Sequence, residues 1–148
     1  MLYRNKRERN AQNKKLFHKH HYYIKKQFLG KAIKEYESIF DQRNTDKEVV
    51  RTLAELYRDT EQTFSAIAVY NILSNLMDKN DDIAEVQSIL AELNEIAHDY
   101  PAAFEAYKTR LGIYPTDATG NPFKVEYIAQ VQKYMNYINR NIKEVINN

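Results

Sequence analysis

The chain has 148 residues, no cysteine, 28% charged residues and a formal net charge of +2. That length suffices for one domain with its own core, and without cysteine neither disulfides nor thiolate metal sites can form. No segment approaches the roughly 20 consecutive apolar residues of a membrane span, and the first twenty residues are charged rather than apolar, unlike a secretory signal. A cytoplasmic protein is expected, and the richness in Asn, Lys, Ile and Tyr is that of an AT-rich bacterial or viral genome.

The charge is segregated along the chain. Residues 1–31 hold ten Lys or Arg against the single acid Glu8, residues 32–117 hold eight basic against seventeen acidic residues, and residues 118–148 hold four against two. A basic N-terminal arm on an acidic body calls for an anionic partner for the arm or for self-association. Residues 1–12 are predicted to be a flexible arm, 13–117 the folded body and 118–148 a C-terminal helix.

Apolar residues at helical spacing predict seven helices: 13–29, 31–42, 47–60, 62–77, 82–98, 101–113 and 122–146. Gly30 reads as a helix end. Thr45-x-x-Glu48 and Asp82-x-x-Glu85 read as capping boxes. Pro101 and Pro122 read as first helical residues, Pro122 with Asn121 as its cap. No run of alternating β-branched or aromatic residues lies between turn signals, so no strand is predicted.

Across these helices a pattern recurs. Ala32-Ile33-x-x-Tyr36 returns as Ala66-Ile67-x-x-Tyr70 after 34 residues, and as Ala103-Phe104-x-x-Tyr107 after three more than that period. A period of this size marks stacked helical hairpins. Leu53-Ala54-x-x-Tyr57 stands twelve residues before Ala66-x-x-x-Tyr70; Leu90-Ala91 stands twelve before Ala103-x-x-x-Tyr107, and Pro115 lies twelve further on. These spacings resemble the tetratricopeptide repeat (TPR), with Tyr23 and Ala32 in a degenerate first copy. The chain departs from that pattern at Lys19-His20, at Asp78 in place of proline, at Asn94 in place of an aromatic, and in three extra residues near Asp78–Asp82. The resemblance implies an all-α fold of two to three stacked hairpins, a right-handed superhelical α-solenoid, closed by a C-terminal capping helix. Small residues would sit where helices approach closely.

In that family the first helix of each hairpin lines a concave groove. By position, the resemblance puts Glu48, Arg51, Glu55, Arg58 and Asp59 there from one copy, and Glu85, Ser88, Glu92 and Glu95 from the next. Six acids against two arginines make the groove negative, which favours a basic peptide or protein surface. The size and architecture are also similar to those of the small dedicated chaperones of bacterial secretion systems.

The arm offers a second site. Arg4, Lys6, Arg7, Arg9, Lys14, Lys15, Lys19, Lys25 and Lys26, interleaved with Phe17, Tyr22 and Tyr23, are able to clamp phosphates and stack bases, so nucleic acid is the alternative partner. Phe17 and Tyr23 also form an apolar helix face with Ile24, Phe28 and Leu29, and core packing is the stronger expectation for them. Of the His18-Lys19-His20-His21 cluster only His18 and His21 have helical ligand spacing, and the lysine repels cations, so no metal is expected. Neither is a cofactor: there is no glycine-rich phosphate loop, and no nucleophile, base and acid have a local signature. A non-catalytic protein is the expectation.

In the last helix Ile128, Val131, Met135, Ile138, Ile142 and Val145 step by 3-4-3-4-3, a heptad-like seam. Such a helix can cover the end of a repeat stack, and the seam also allows a homo-oligomer.

Overall fold

The computed structural model describes residues 25–117 and 119–147, and the described residues are helical apart from short connections. Six helices follow one another: α1 over 25–42, α2 Lys47–Asp59, α3 Thr63–Leu76, α4 Asn80–Ile96, α5 Tyr100–Ile113 and α6 Val125–Asn147. Among the described residues there is no strand, only an isolated antiparallel bridge between Thr116 and Pro122. The predicted arm at 1–12 and residues 13–24 of the predicted helix 13–29 lie outside the described residues.

Each helix packs on its neighbours in the chain. From α2 to α6 the close backbone approaches are all between successive helices, and they are most extensive within the pairs α2–α3 and α4–α5. These two pairs are copies of one hairpin. Leu53, Ala54, Ala66 and Tyr70 in the first correspond to Leu90, Ala91, Ala103 and Tyr107 in the second, each 37 residues later, and all eight are buried. The alanines are as nearly sealed as the large residues, because a side chain longer than a methyl would hold the paired backbones apart.

The turns inside the hairpins match as well. In the first, Thr60, Glu61 and Gln62 donate their backbone N–H groups to the carbonyls of Leu56, Arg58 and Tyr57. In the second, Ala97, His98 and Asp99 donate to Leu93, Glu95 and Asn94. Glu61 (φ 58°) and His98 (φ 59°) occupy the left-handed region where a helix end usually places glycine. The geometry reverses the chain within three residues and satisfies the last helical carbonyls.

Several sequence expectations are corrected. Helix α1 runs through Gly30, where an added Cβ would meet nothing within 4 Å; a mid-helix glycine costs only about 1 kcal/mol. The cap of α2 is Asp46, not Thr45: its carboxylate accepts from the N–H groups of Glu48 (3.0 Å) and Val49 (3.4 Å). Helix α4 begins at Asn80 rather than after an Asp82 cap, absorbing most of the extra residues, and Asp81 and Asp82 lie in its first turn. Asp99 caps α5, so Pro101 is its second residue rather than its first. Pro122 lies in the bridge, and α6 starts only at Val125.

The bridge belongs to a compact connection between α5 and α6. Asp117 accepts through its carboxylate from the Thr119 hydroxyl (2.6 Å) and from the backbone of Asn121 (3.0 Å) and Thr119 (2.8 Å), which holds its pKa below the usual carboxylate range. Arg110 donates to the carbonyls of Tyr114 and Thr116 and stacks over the Phe123 ring at 4.2 Å. The Tyr114 hydroxyl donates to Asp81 at the start of α4. The connection is thereby tied to both helices of the second hairpin.

Candidate functional site

All six acidic residues assigned to the groove lie on α2 and α4, which two features link. Arg51 pairs with Glu85 at 3.9 Å. Further along, Arg58 and Glu92 border a recess of about 300 Å³, together with Glu61 and Thr63 and an apolar floor of Ile89, Leu93 and Ile96. Ile96 is 64% exposed. The recess therefore offers apolar surface for an aliphatic stem and a predominantly acidic rim for a cationic head, the way lysine and arginine side chains divide themselves.

Under this rim stands a buried phenol. Tyr70 is 1% exposed and its hydroxyl has no hydrogen-bond partner of good geometry, although the Arg58 guanidinium lies beside it. Burial pushes the phenol up while Arg58 pulls it partly back, and Tyr70 in turn holds Arg58 in its charged form. The second hairpin repeats the arrangement with opposite charge. Tyr107 stands next to Glu95, and burial followed by that carboxylate pushes its phenol far up. Lys124 donates to the Tyr107 hydroxyl at 2.9 Å.

The predicted groove residues are thus not all alike. Glu48, Glu55, Asp59 and Glu92 are solvent-exposed. Ser88 turns its hydroxyl back onto the Ala84 carbonyl at 3.0 Å, so its local role is within the helix. Glu95 is half-buried and accepts from the Tyr127 hydroxyl of α6 at 3.0 Å. That bond joins α4 of the second hairpin to the last helix, 32 residues away in sequence, and takes Glu95 out of the open face.

Of the residues predicted for nucleic acid, Arg4, Lys6, Arg7, Arg9, Lys14, Lys15 and Lys19 lie outside the described residues, as do His18 and His21. Lys25 and Lys26 are exposed at the start of the described part of α1 and line a recess with Asp59 and Glu61. Lys25 and Lys26 therefore lie beside the acidic turn of the first hairpin.

No protein-family model matches the chain, and no curated protein is significantly similar to it. The site has to be read from its own chemistry. Among the described residues no three His, Asp or Glu side chains gather as metal ligands would, and no helix is long and apolar enough to cross a membrane.

Two features had no signal in the sequence. Tyr57, taken only as a repeat position, donates to Glu37 of α1 at 2.6 Å, and burial followed by that carboxylate pushes its phenol up to about 12. Asn94 is its counterpart 37 residues later and is 7% exposed, with its amide donating to Leu90 O at 2.9 Å. Where Tyr57 bridges to the preceding helix, the shorter Asn94 leaves a polar recess of about 340 Å³ bordered by Asn71, Gln87 and Thr109. The aromatic missing from the pattern at Asn94 was visible in sequence; the gap it leaves was not.

Proposed function

We propose that the protein is a TPR-like helical repeat protein that acts without catalysis, as an adaptor, assembly factor or chaperone, binding a basic peptide or protein surface along α2 and α4. The observation that carries this reading is the recess rimmed by Arg58, Glu61 and Glu92 over Ile89, Leu93 and Ile96. The matched hairpin turns and the paired burial of Ala54, Ala66, Ala91 and Ala103 support the repeat architecture. Stacked repeats leave an extended face over, and such faces recognise partners by shape and charge. Complementary potential speeds encounter and selects against acidic competitors.

The test uses two labelled amphipathic peptides, one with Leu and Lys at helical spacing and one with Glu in place of Lys. The lysine peptide binds the full chain, and Glu92→Lys weakens it about tenfold or more, in the range of rim and buried charge pairs. Equal binding of both peptides, or no effect of Glu92→Lys, would overturn the groove reading. Glu92 is exposed, so its replacement leaves the core intact.

A second reading rests on the ten Lys or Arg of residues 1–31, which suit a nucleic acid as the arm's partner. Binding of single-stranded RNA would then fall with log salt at a slope of roughly −0.7 per neutralised phosphate. It would vanish on deletion of residues 1–15, while peptide binding persists.

A further inference from the structure

The seam of α6 is covered over only half its length. Ile128 is buried, and Tyr127, Val131 and Met135 pack against the core. Beyond them the same seam continues into solvent: Ile138 is 37% exposed, Ile142 50% and Val145 77%. The helical hairpins therefore cover the first turns of the helix and, among the described residues, nothing covers the last ones.

The chemistry of the exposed half indicates what can cover it. Seam residues stepping by 3-4-3 pack against another helix, knob into hole. The positions flanking the seam are Tyr134, Asn139, Asn141 and Ile146; the charges of this stretch, Lys133, Arg140, Lys143 and Glu144, fall on the opposite half of the helix. A face without charge offers nothing to a phosphate backbone. Flanking charges are also what coiled coils use to choose a foreign partner. Their absence leaves no repulsion between identical copies. An isologous interface needs a surface complementary to itself, and this face meets that condition when two copies run antiparallel. Ile138 of one copy then lies level with Ile142 of the other, and Met135 with Val145. Asn139 meets Asn139 and Asn141 meets Asn141 close to the two-fold axis. A carboxamide both donates and accepts, so it pairs with its own kind. A parallel pair would bring both hairpin blocks to the same end, against a seam half they already occupy.

We propose that the C-terminal half of α6, centred on Ile138 and Ile142, is a homodimerisation surface that pairs antiparallel with a second copy of this chain. The overlap is short and the dimer is correspondingly weak. Sedimentation equilibrium of the full chain should give a mass that rises from one chain to two between low micromolar and near-millimolar concentration. Ile142→Lys should remain a monomer throughout, with the circular dichroism and unfolding midpoint of the parent. The chain has no native cysteine, so orientation can be read directly. Under mild oxidation Ile138→Cys and Ile142→Cys should cross-link to each other when mixed, and each much less to itself. A parent chain that is monomeric at every concentration would overturn the proposal, as would a dimer indifferent to Ile142→Lys or self-linking of Ile138→Cys. A monomer that floats with phosphatidylcholine–phosphatidylserine vesicles would overturn it too, assigning the face to a lipid surface.

Discussion

Helix α3 buries Ala66, Val69, Tyr70 and Leu73 among its 14 residues, whereas α6 buries Ile128 alone among its 23. Of the two, α6 has the more regular separation of apolar and polar residues, so the difference does not lie in how well each sequence specifies a helix. It lies in the neighbours. Helix α3 is packed between α2 and α4, while the backbone of α6 comes close only to α5 among helices α2–α6, with the Tyr127–Glu95 hydrogen bond reaching α4. Amphipathic spacing determines which side of a helix will be buried; the elements on that side determine how much is. The hairpins supply each other's cover, and α6 brings more seam than the stack can use.

The largest expected effect comes from the buried side of this comparison. Leu73 is fully buried, and Leu73→Ala should destabilise the fold by about 2–5 kcal/mol in urea unfolding. The corresponding truncation on the free side, Ile142→Ala, should stay within about 0.5 kcal/mol at low protein concentration. Similar losses at both sites would mean that the end of α6 is covered within the monomer.

A smaller effect tests whether the hairpins are copies. Ala66→Leu and Ala103→Leu should each cost about 1–3 kcal/mol by overpacking a helix contact. A loss at one and none at the other would break the equivalence of the two pairs. Smaller still, Glu61→Gly and His98→Gly should each raise stability by up to about 1 kcal/mol, because glycine adopts the left-handed conformation at no steric cost. Loss of stability in both variants would contradict the turn geometry.

The last prediction concerns pH. Tyr57 keeps its proton to about pH 12 through burial and the Glu37 carboxylate. A phenol whose folded pKa is raised adds stability that is complete below its ordinary value near 10 and is lost as pH rises through 12. Spectrophotometric titration should show fewer phenols ionising near pH 10 to 11 in the parent than in an unfolded control, with Tyr57 held back alongside Tyr70 and Tyr107. Tyr57→Phe should flatten the fall of stability between pH 10 and 12.

Much of the fold was legible because alanine at a fixed spacing carries a physical meaning. Ala54, Ala66, Ala91 and Ala103 mark close approaches whatever the surrounding residues, and all four are sealed. Helix ends were less legible where two signals compete within a residue or two. Thr45 and Asp46 are both good caps, and only the geometry favours Asp46. Gly30 and Pro122 are strong breakers in isolation, but one glycine is tolerated in a helix and a proline fits equally in a turn. At the site, the repeat spacing leads to the expectation that α2 and α4 line one groove; the structure supplies the Arg51–Glu85 ion pair between them. The capture of Glu95 by Tyr127 did not, because the contact depends on where α6 returns after the Asp117 turn, and no local pattern encodes that distance.

Hydrogen exchange of the full chain at two protein concentrations tests the contrast between the hairpin block and α6 most directly. In dilute solution, amides of α3 and α4 should be protected to the level of global unfolding while those of 138–147 exchange nearly as an open segment. At high concentration 138–147 should gain protection with no change in α3. Protection of 138–147 equal to that of α3 in dilute solution would contradict a half-covered helix, and protection that never responds to concentration would contradict its pairing.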